Sequence, residues 1–140
     1  MSTALGGEDA GAVRRYSSGG AWEESIGYSR AVAAGPFVIT AGCTAVSDGQ
    51  VQHEGDPYLQ AVAAFRNAER GLAQAGCSLG DVVQTRMYVT HARDAAEIGR
   101  AHQALFADVR PAATMVQVSG LLDPRMLVEV ELVAYRRERA

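Results

Sequence analysis

From Leu127 to Tyr135 the chain reads Leu-Val-Glu-Val-Glu-Leu-Val-Ala-Tyr, with apolar Val128, Val130, Leu132 and Ala134 at every second position. A period of two is that of a β-strand with one face in a core. The interleaved residues, Leu127, Glu129, Glu131, Val133 and Tyr135, share the opposite face. Carboxylates one strand-step apart are costly to bury, so that face belongs to a wet cleft or a subunit contact. Asp81 to Thr90 alternates in the same way: Val83, Thr85, Met87 and Val89 form one set, Gln84, Arg86, Tyr88 and Thr90 the other. Arg110 to Val118 is a third strand candidate, separated from Leu127 by a turn-rich linker.

Elsewhere the period is helical. Asp56 is an N-cap with Pro57 at the first helical position, and Val62, Phe65, Ala68 or Glu69, and Leu72 follow at helical spacing up to Gly76. A second helix starts from a cap at Asp94, carries Ile98, Ala101, Leu105 and Phe106, and ends before Pro111. The N-terminal part predicts hairpins. An edge strand at Arg14–Tyr16 precedes the turn Ser17-Ser-Gly-Gly, and strands at Tyr28–Val32 and Phe37–Thr44 flank Ala34-Gly35-Pro36. The turn Ser47-Asp48-Gly49-Gln50 then leads into a short return strand, Val51-Gln52-His53. Residues 1–12 read as a flexible tail and 13–140 as one domain. This order of elements describes an α+β domain, a mixed sheet with two helices packed on one face. Two helices cannot wrap both faces, so the uncovered one is polar or buried by another subunit.

Composition narrows the function classes. A chain of 140 residues, 48% hydrophobic and 21% charged, can build one core without disulfide or metal staples. A net charge of −3 with no basic block lacks the footprint of a nucleic-acid binder. Cys43 and Cys77 form no CxxC pair and read as buried, reduced thiols. His53, His91 and His102 are scattered with no acid at ligand spacing, so neither a metal nor a cofactor is expected. No apolar run approaches the length of a membrane span and no signal-peptide core is present, which predicts a cytoplasmic protein without membrane contact.

The uncovered face of the predicted sheet gathers Arg86, Tyr88, Glu129, Glu131 and Tyr135. That mixture is too polar for a core and too aromatic for plain solvent. It is the composition of an oligomer interface with trapped polar groups.

With these elements in place the chain resembles the RidA/YjgF family of small trimeric proteins, whose name is also attached to an endoribonuclease activity. The resemblance runs from Tyr16 to Tyr135. It is carried by Ile26-Gly27-Tyr28-Ser29-Arg30-Ala31-Val32, Val38-Ile39-Thr40-Ala41-Gly42, Leu72-Ala73-Gln74-Ala75-Gly76, Asp81 to Thr90, and Arg110-Pro111-Ala112 followed by Val116-Gln117-Val118. It implies a chorismate-mutase-like fold, a homotrimer with clefts between subunits, and hydrolysis of a small enamine or imine to a carbonyl compound and ammonia. It also implies Glu129 as the acid that orients water, Tyr28 as the aromatic of the cleft, and Gly42 as the glycine whose backbone lines it. The family's carboxylate-gripping arginine follows the Pro-Ala pair, and here that position holds Ala113. The guanidinium clamp for a substrate carboxylate is absent from it. Cys43 and Met115 give the implied pocket a softer, more apolar wall. Two other tasks on the same scaffold stay open: a pathway-specific catalyst acting on a larger or uncharged intermediate, and a small-molecule-binding trimer without turnover.

Each residue carries a plainer reading beside the chemical one. Glu129 is a general acid/base or an ion-pair partner of Arg86. Arg86 replaces the missing guanidinium or balances Glu129 and Glu131, the latter read as structural. Arg30 is a second cationic candidate or a solvated strand residue. His102 reaches the cleft or packs within its helix. Cys43 lines the pocket as a nucleophile or is a small buried thiol.

Overall fold

The computed structural model describes residues 12–137, so the tail expected over 1–12 lies outside the described residues apart from Ala12. Strands β1 (Val13–Tyr16), β2 (Ala31–Ala34) and β3 (Phe37–Thr40) are followed by the small hairpin β4 (Val46–Ser47) and β5 (Gln50–Val51). Helix α1 (Pro57–Gln74), β6 (Val82–Val89), α2 (Ala95–Phe106), β7 (Ala112–Gln117) and β8 (Val128–Tyr135) complete the order. The main sheet runs β1-β2-β3-β8-β6-β7. Among the described residues only β6 and β7 pair in parallel; the other pairs are antiparallel. The α+β expectation is met, and β6 intervenes between the two C-terminal strands.

The core follows the predicted periods. Asp56 caps α1 by accepting a hydrogen bond from the Leu59 amide at 3.0 Å, with Pro57 at the start. Phe65, Ala68 and Leu72 from α1, with Ile98, Ala101 and Phe106 from α2, pack in one cluster against Val128, Val130, Leu132 and Ala134 of β8. Gly76 adopts φ 81°, the left-handed conformation in which the chain leaves the helix. Cys43 and Cys77 are both buried. No helix among the described residues is long and apolar enough to cross a membrane.

Local backbone chemistry produced four departures. The pairing of β6 with β8 shifts register between Val82 and Gln84, so Val82 is buried and Val83, expected in the core set, is 43% exposed. Asp94 makes no side-chain cap; a short 3-10 turn over Ala92–Asp94 leads into α2 instead. The Val51–His53 strand shrinks to Gln50–Val51, because Asp48 and Gly49, both at positive φ, make a tight hairpin turn, and His53 is itself left-handed at φ 54°. The strands predicted over Tyr28–Val32 and Phe37–Thr44 begin at Ala31 and end at Thr40.

That last departure shapes the cleft. Beyond the Ile39–Val133 pair, the next contact with β8 is the Cys43–Val130 bridge. The first side advances four residues while β8 advances three, a bulge within Thr40–Gly42. Thr40 Oγ1 accepts the Leu132 amide at 3.0 Å. Bulges re-aim the side chains around them.

Candidate functional site

Glu129 projects from β8 on the face away from the helices, opposite Tyr88 in the β6 ladder. The bulge brings Gly42 beneath it. A Cβ on Gly42 would overlap the Glu129 carboxylate and meet its Cδ at 2.9 Å, so a side chain there would push the carboxylate out of this position. Around them a cleft of about 320 Å³ is lined by Gly42, Tyr88, Val118, Gly120, Leu121, Glu129 and Glu131. Burial pushes the Glu129 carboxyl above its ordinary pKa, the Glu131 charge adds to that, and the Arg30 guanidinium opposes it. The Tyr88 hydroxyl donates to Glu131, and this bond, reinforced by burial, raises the phenol's pKa. A carboxyl that holds its proton beyond the usual range, beside a bare backbone and an open volume, can exchange protons with a bound water.

Behind Gly42 lies a polar frame. Arg30 Nη1 donates to the Gly42 carbonyl at 2.9 Å and to Cys43 Sγ at 3.4 Å, and Nη2 donates to the Tyr28 hydroxyl at 3.3 Å. Arg30 Nε stands 3.6 Å from Glu23 Oε2. Glu23 opens a π-helical turn, Glu23–Gly27, and accepts from the Ser18 amide at 3.1 Å, the Ser18 hydroxyl and the Gly20 amide at 3.3 Å. Burial pushes the Glu23 carboxyl up, but the Ser18 hydrogen bonds and the Arg30 charge outweigh it and hold it below the ordinary value. Arg30 is thus a framed residue with 17% of its side chain exposed, not a solvated strand cation.

The other expected residues divide. Glu129, Gly42 and Glu131 meet at the cleft; Tyr28, expected as its aromatic, does not line it in one chain and is linked to Gly42 through Arg30, while Tyr88 supplies the ring in the wall. Cys43 is 4% exposed, belongs to the core cluster, and has its thiol pKa pushed up by burial, the state of a packed thiol. Arg86 is exposed and lies directly across the ladder from Glu131, yet makes no ion pair among the described residues. Ala113 and Met115 pair with Thr85 and Met87 of β6, whose side chains face the helices. They therefore sit on the opposite side of the sheet from Glu129, and one chain does not bring them to this cleft. His102 packs edge-on to Phe65 and contacts Thr85 Oγ1 at 2.9 Å, and burial lowers its pKa. His53 and His91 are exposed. Among the described residues no group of three or more His, Cys, Asp or Glu could hold a metal.

Sequence reasoning did not single out Glu23, or the wall residues Gly120 and Leu121. Glu23 follows a Gly/Ser-rich turn with no periodicity around it, and its partner Arg30 is found only by folding the chain back. The wall residues lie in a linker that carries no repeat.

A family model described as Endoribonuclease L-PSP matches residues 21–136. An uncharacterised protein of Streptomyces coelicolor is 49% identical over 125 residues, 89% of this chain and 93% of its own length. The 2-iminobutanoate/2-iminopropanoate deaminase of Escherichia coli is 29% identical over 114 residues, 79% of this chain and 88% of that protein. A crystal structure of a YjgF/YER057c/UK114 family member from Mycobacterium tuberculosis superposes with a TM-score of 0.79 at 42% identity, over 88% of this chain and 98% of that one.

Proposed function

Given that the chain belongs to the YjgF/RidA family, the one described as endoribonuclease L-PSP, we propose that it hydrolyses a small imine or enamine in the cleft over Gly42, with Glu129 as acid/base. The observation that carries this reading is the Glu129 carboxyl itself, raised in pKa, resting on Gly42 and facing the cleft. Glu129 takes a proton from a water whose oxygen bonds to the imine carbon, the C=N π pair moves to nitrogen, and Glu129 passes that proton to it. The carbinolamine then collapses: Glu129 takes the hydroxyl proton as the carbonyl forms, hands it to the nitrogen, and the C–N bond breaks to release ammonia.

Among the described residues no basic side chain lines the cleft, Arg86 standing beside it against Tyr88, and Ala113 stands where the arginine of the deaminases is expected. This favours a substrate without a carboxylate, larger or uncharged, over 2-iminopropanoate. Loss of a charge-assisted bidentate contact costs a few kcal/mol, about a hundredfold in rate. An RNA substrate is the weaker reading, because a net charge of −3 and two carboxylates in the cleft wall oppose a phosphate backbone.

The homotrimer belongs to the same proposal. Phe37, Ile39 and Tyr135, each about 45% exposed, lie on the uncovered face, and Ala113 and Met115 would complete a cleft only against a neighbouring copy.

The test is carbonyl product formed from 2-iminopropanoate generated in situ and from an uncharged ketimine, with wild type and Glu129→Gln. The expected result is turnover of the ketimine, weak turnover of 2-iminopropanoate, and loss of both in Glu129→Gln. Wild-type rates in Glu129→Gln would overturn the assignment.

A further inference from the structure

We infer that Arg30 and Glu23 are positioning residues for the Gly42–Glu129 cleft, an assignment that rests on that cleft being the reaction site. Three groups at or beside its wall converge on one guanidinium: the Gly42 carbonyl at 2.9 Å, the Tyr28 hydroxyl at 3.3 Å and the Cys43 thiol at 3.4 Å. Fixing the Gly42 carbonyl fixes the peptide plane whose α-carbon supports Glu129. The three groups come from two stretches of backbone, Tyr28 on one and Gly42 with Cys43 on the other, and a planar cation with a rigid fork of donors ties the two together.

Glu23 holds the cation in turn. Its carboxylate, 5% exposed, gathers the Ser18 amide and hydroxyl and the Gly20 amide and stands 3.6 Å from Arg30 Nε. The relay runs from the Ser18–Gly20 loop through Glu23 and Arg30 to Gly42. With these contacts and the Glu23 carboxylate filling it, the guanidinium is a frame for the wall and not a substitute for the missing substrate anchor.

The experiment compares Arg30→Met, Arg30→Lys and Glu23→Gln with wild type in the full chain, with Arg66→Gln on the exposed face of α1 as control. It reads kcat, KM and the titration of the Glu129 carboxyl by NMR with carbon-labelled glutamate. Arg30→Met should lower kcat by about tenfold to a hundredfold, since small misplacements cost that much, with KM changed far less. Its Glu129 midpoint should move to higher pH, because the opposing positive charge is gone. Arg30→Lys should restore the midpoint but only part of kcat, and Glu23→Gln should fall between. An unmoved midpoint with wild-type kcat in Arg30→Met overturns the relay, as does an equal loss in the Lys and Met variants. If Arg30→Met does not fold, Arg30→Lys and Glu23→Gln decide, and wild-type kcat in both overturns it. If wild type turns over no imine, the deaminase reading fails by itself, and the NMR midpoint still decides the relay.

Discussion

The carboxylate of Glu129 rests on the bare α-carbon of Gly42, a contact that leaves no room for a methyl group. Gly42 does not have positive φ, so its requirement for glycine is steric and local to the cleft. Gly42→Ala should fold with a nearly unchanged melting temperature while turning Glu129 away from its seat. Turnover should drop by about a hundredfold, the scale of a misplaced catalytic group. Full activity in Gly42→Ala would show that the seat has no catalytic part.

Glu131 carries the like charge that helps hold the Glu129 proton. With Glu129 acting first as a base, kcat/KM rises with pH as its proton leaves, and the limb lies above the ordinary carboxylate range. Glu131→Gln removes the repulsion, makes ionisation easier, and should move that limb to lower pH. A pH–rate profile that stays in place, or moves upward, contradicts the coupling.

Gln60 is fully buried and ties the base of the cleft linker to α1. Its amide nitrogen donates to Gln52 O at 3.1 Å and Arg125 O at 2.9 Å, and its oxygen accepts the Leu127 amide at 2.8 Å. Gln60→Leu keeps the volume and leaves three backbone groups without their partner. Unfolding in urea should show a loss of roughly 1–3 kcal/mol. No measurable loss would mean that water or a shifted loop replaces the amide.

Phe37 and Tyr135 meet edge to face, ring centroids 5.4 Å apart, on the sheet face that the helices leave open. In the proposed assembly this pair is covered by another copy. Phe37→Glu should shift light-scattering mass from trimer to monomer, and activity should fall with it if Ala113 and Met115 of a neighbour complete the cleft. A variant with unchanged mass would place the contact elsewhere.

Much of this was legible in the sequence. The Val128–Ala134 alternation and the Phe65, Ala68, Leu72 spacing became β8 and the buried stripe of α1, because a period repeated over several turns or pleats is hard to satisfy in another way. Two bulges escaped it. One extra residue near Val83 and one in Thr40–Gly42 leave composition unchanged, yet the first turns a valine to solvent and the second makes the seat of Glu129. The relay was hidden for another reason. Arg30 meets partners at Glu23, Tyr28, Gly42 and Cys43, which no single period links. Ala113 was readable by its place after Pro111-Ala112, but the register sets it on the far side of the sheet.

The position of β8 between β3 and β6 has a consequence for how this protein can change. The strand that bears Glu129 is hydrogen-bonded along both edges, so it should be among the last backbone to exchange its amides. Leu121 and Gly120 hang from a linker, and Glu23 from a single helical turn. Glu129 stands on a strand with a neighbour on each edge, while Gly120 and Leu121 lie on a linker, the kind of segment that tolerates substitution and insertion. The linker wall of the cleft can therefore vary while the folding core and Glu129 stay in place.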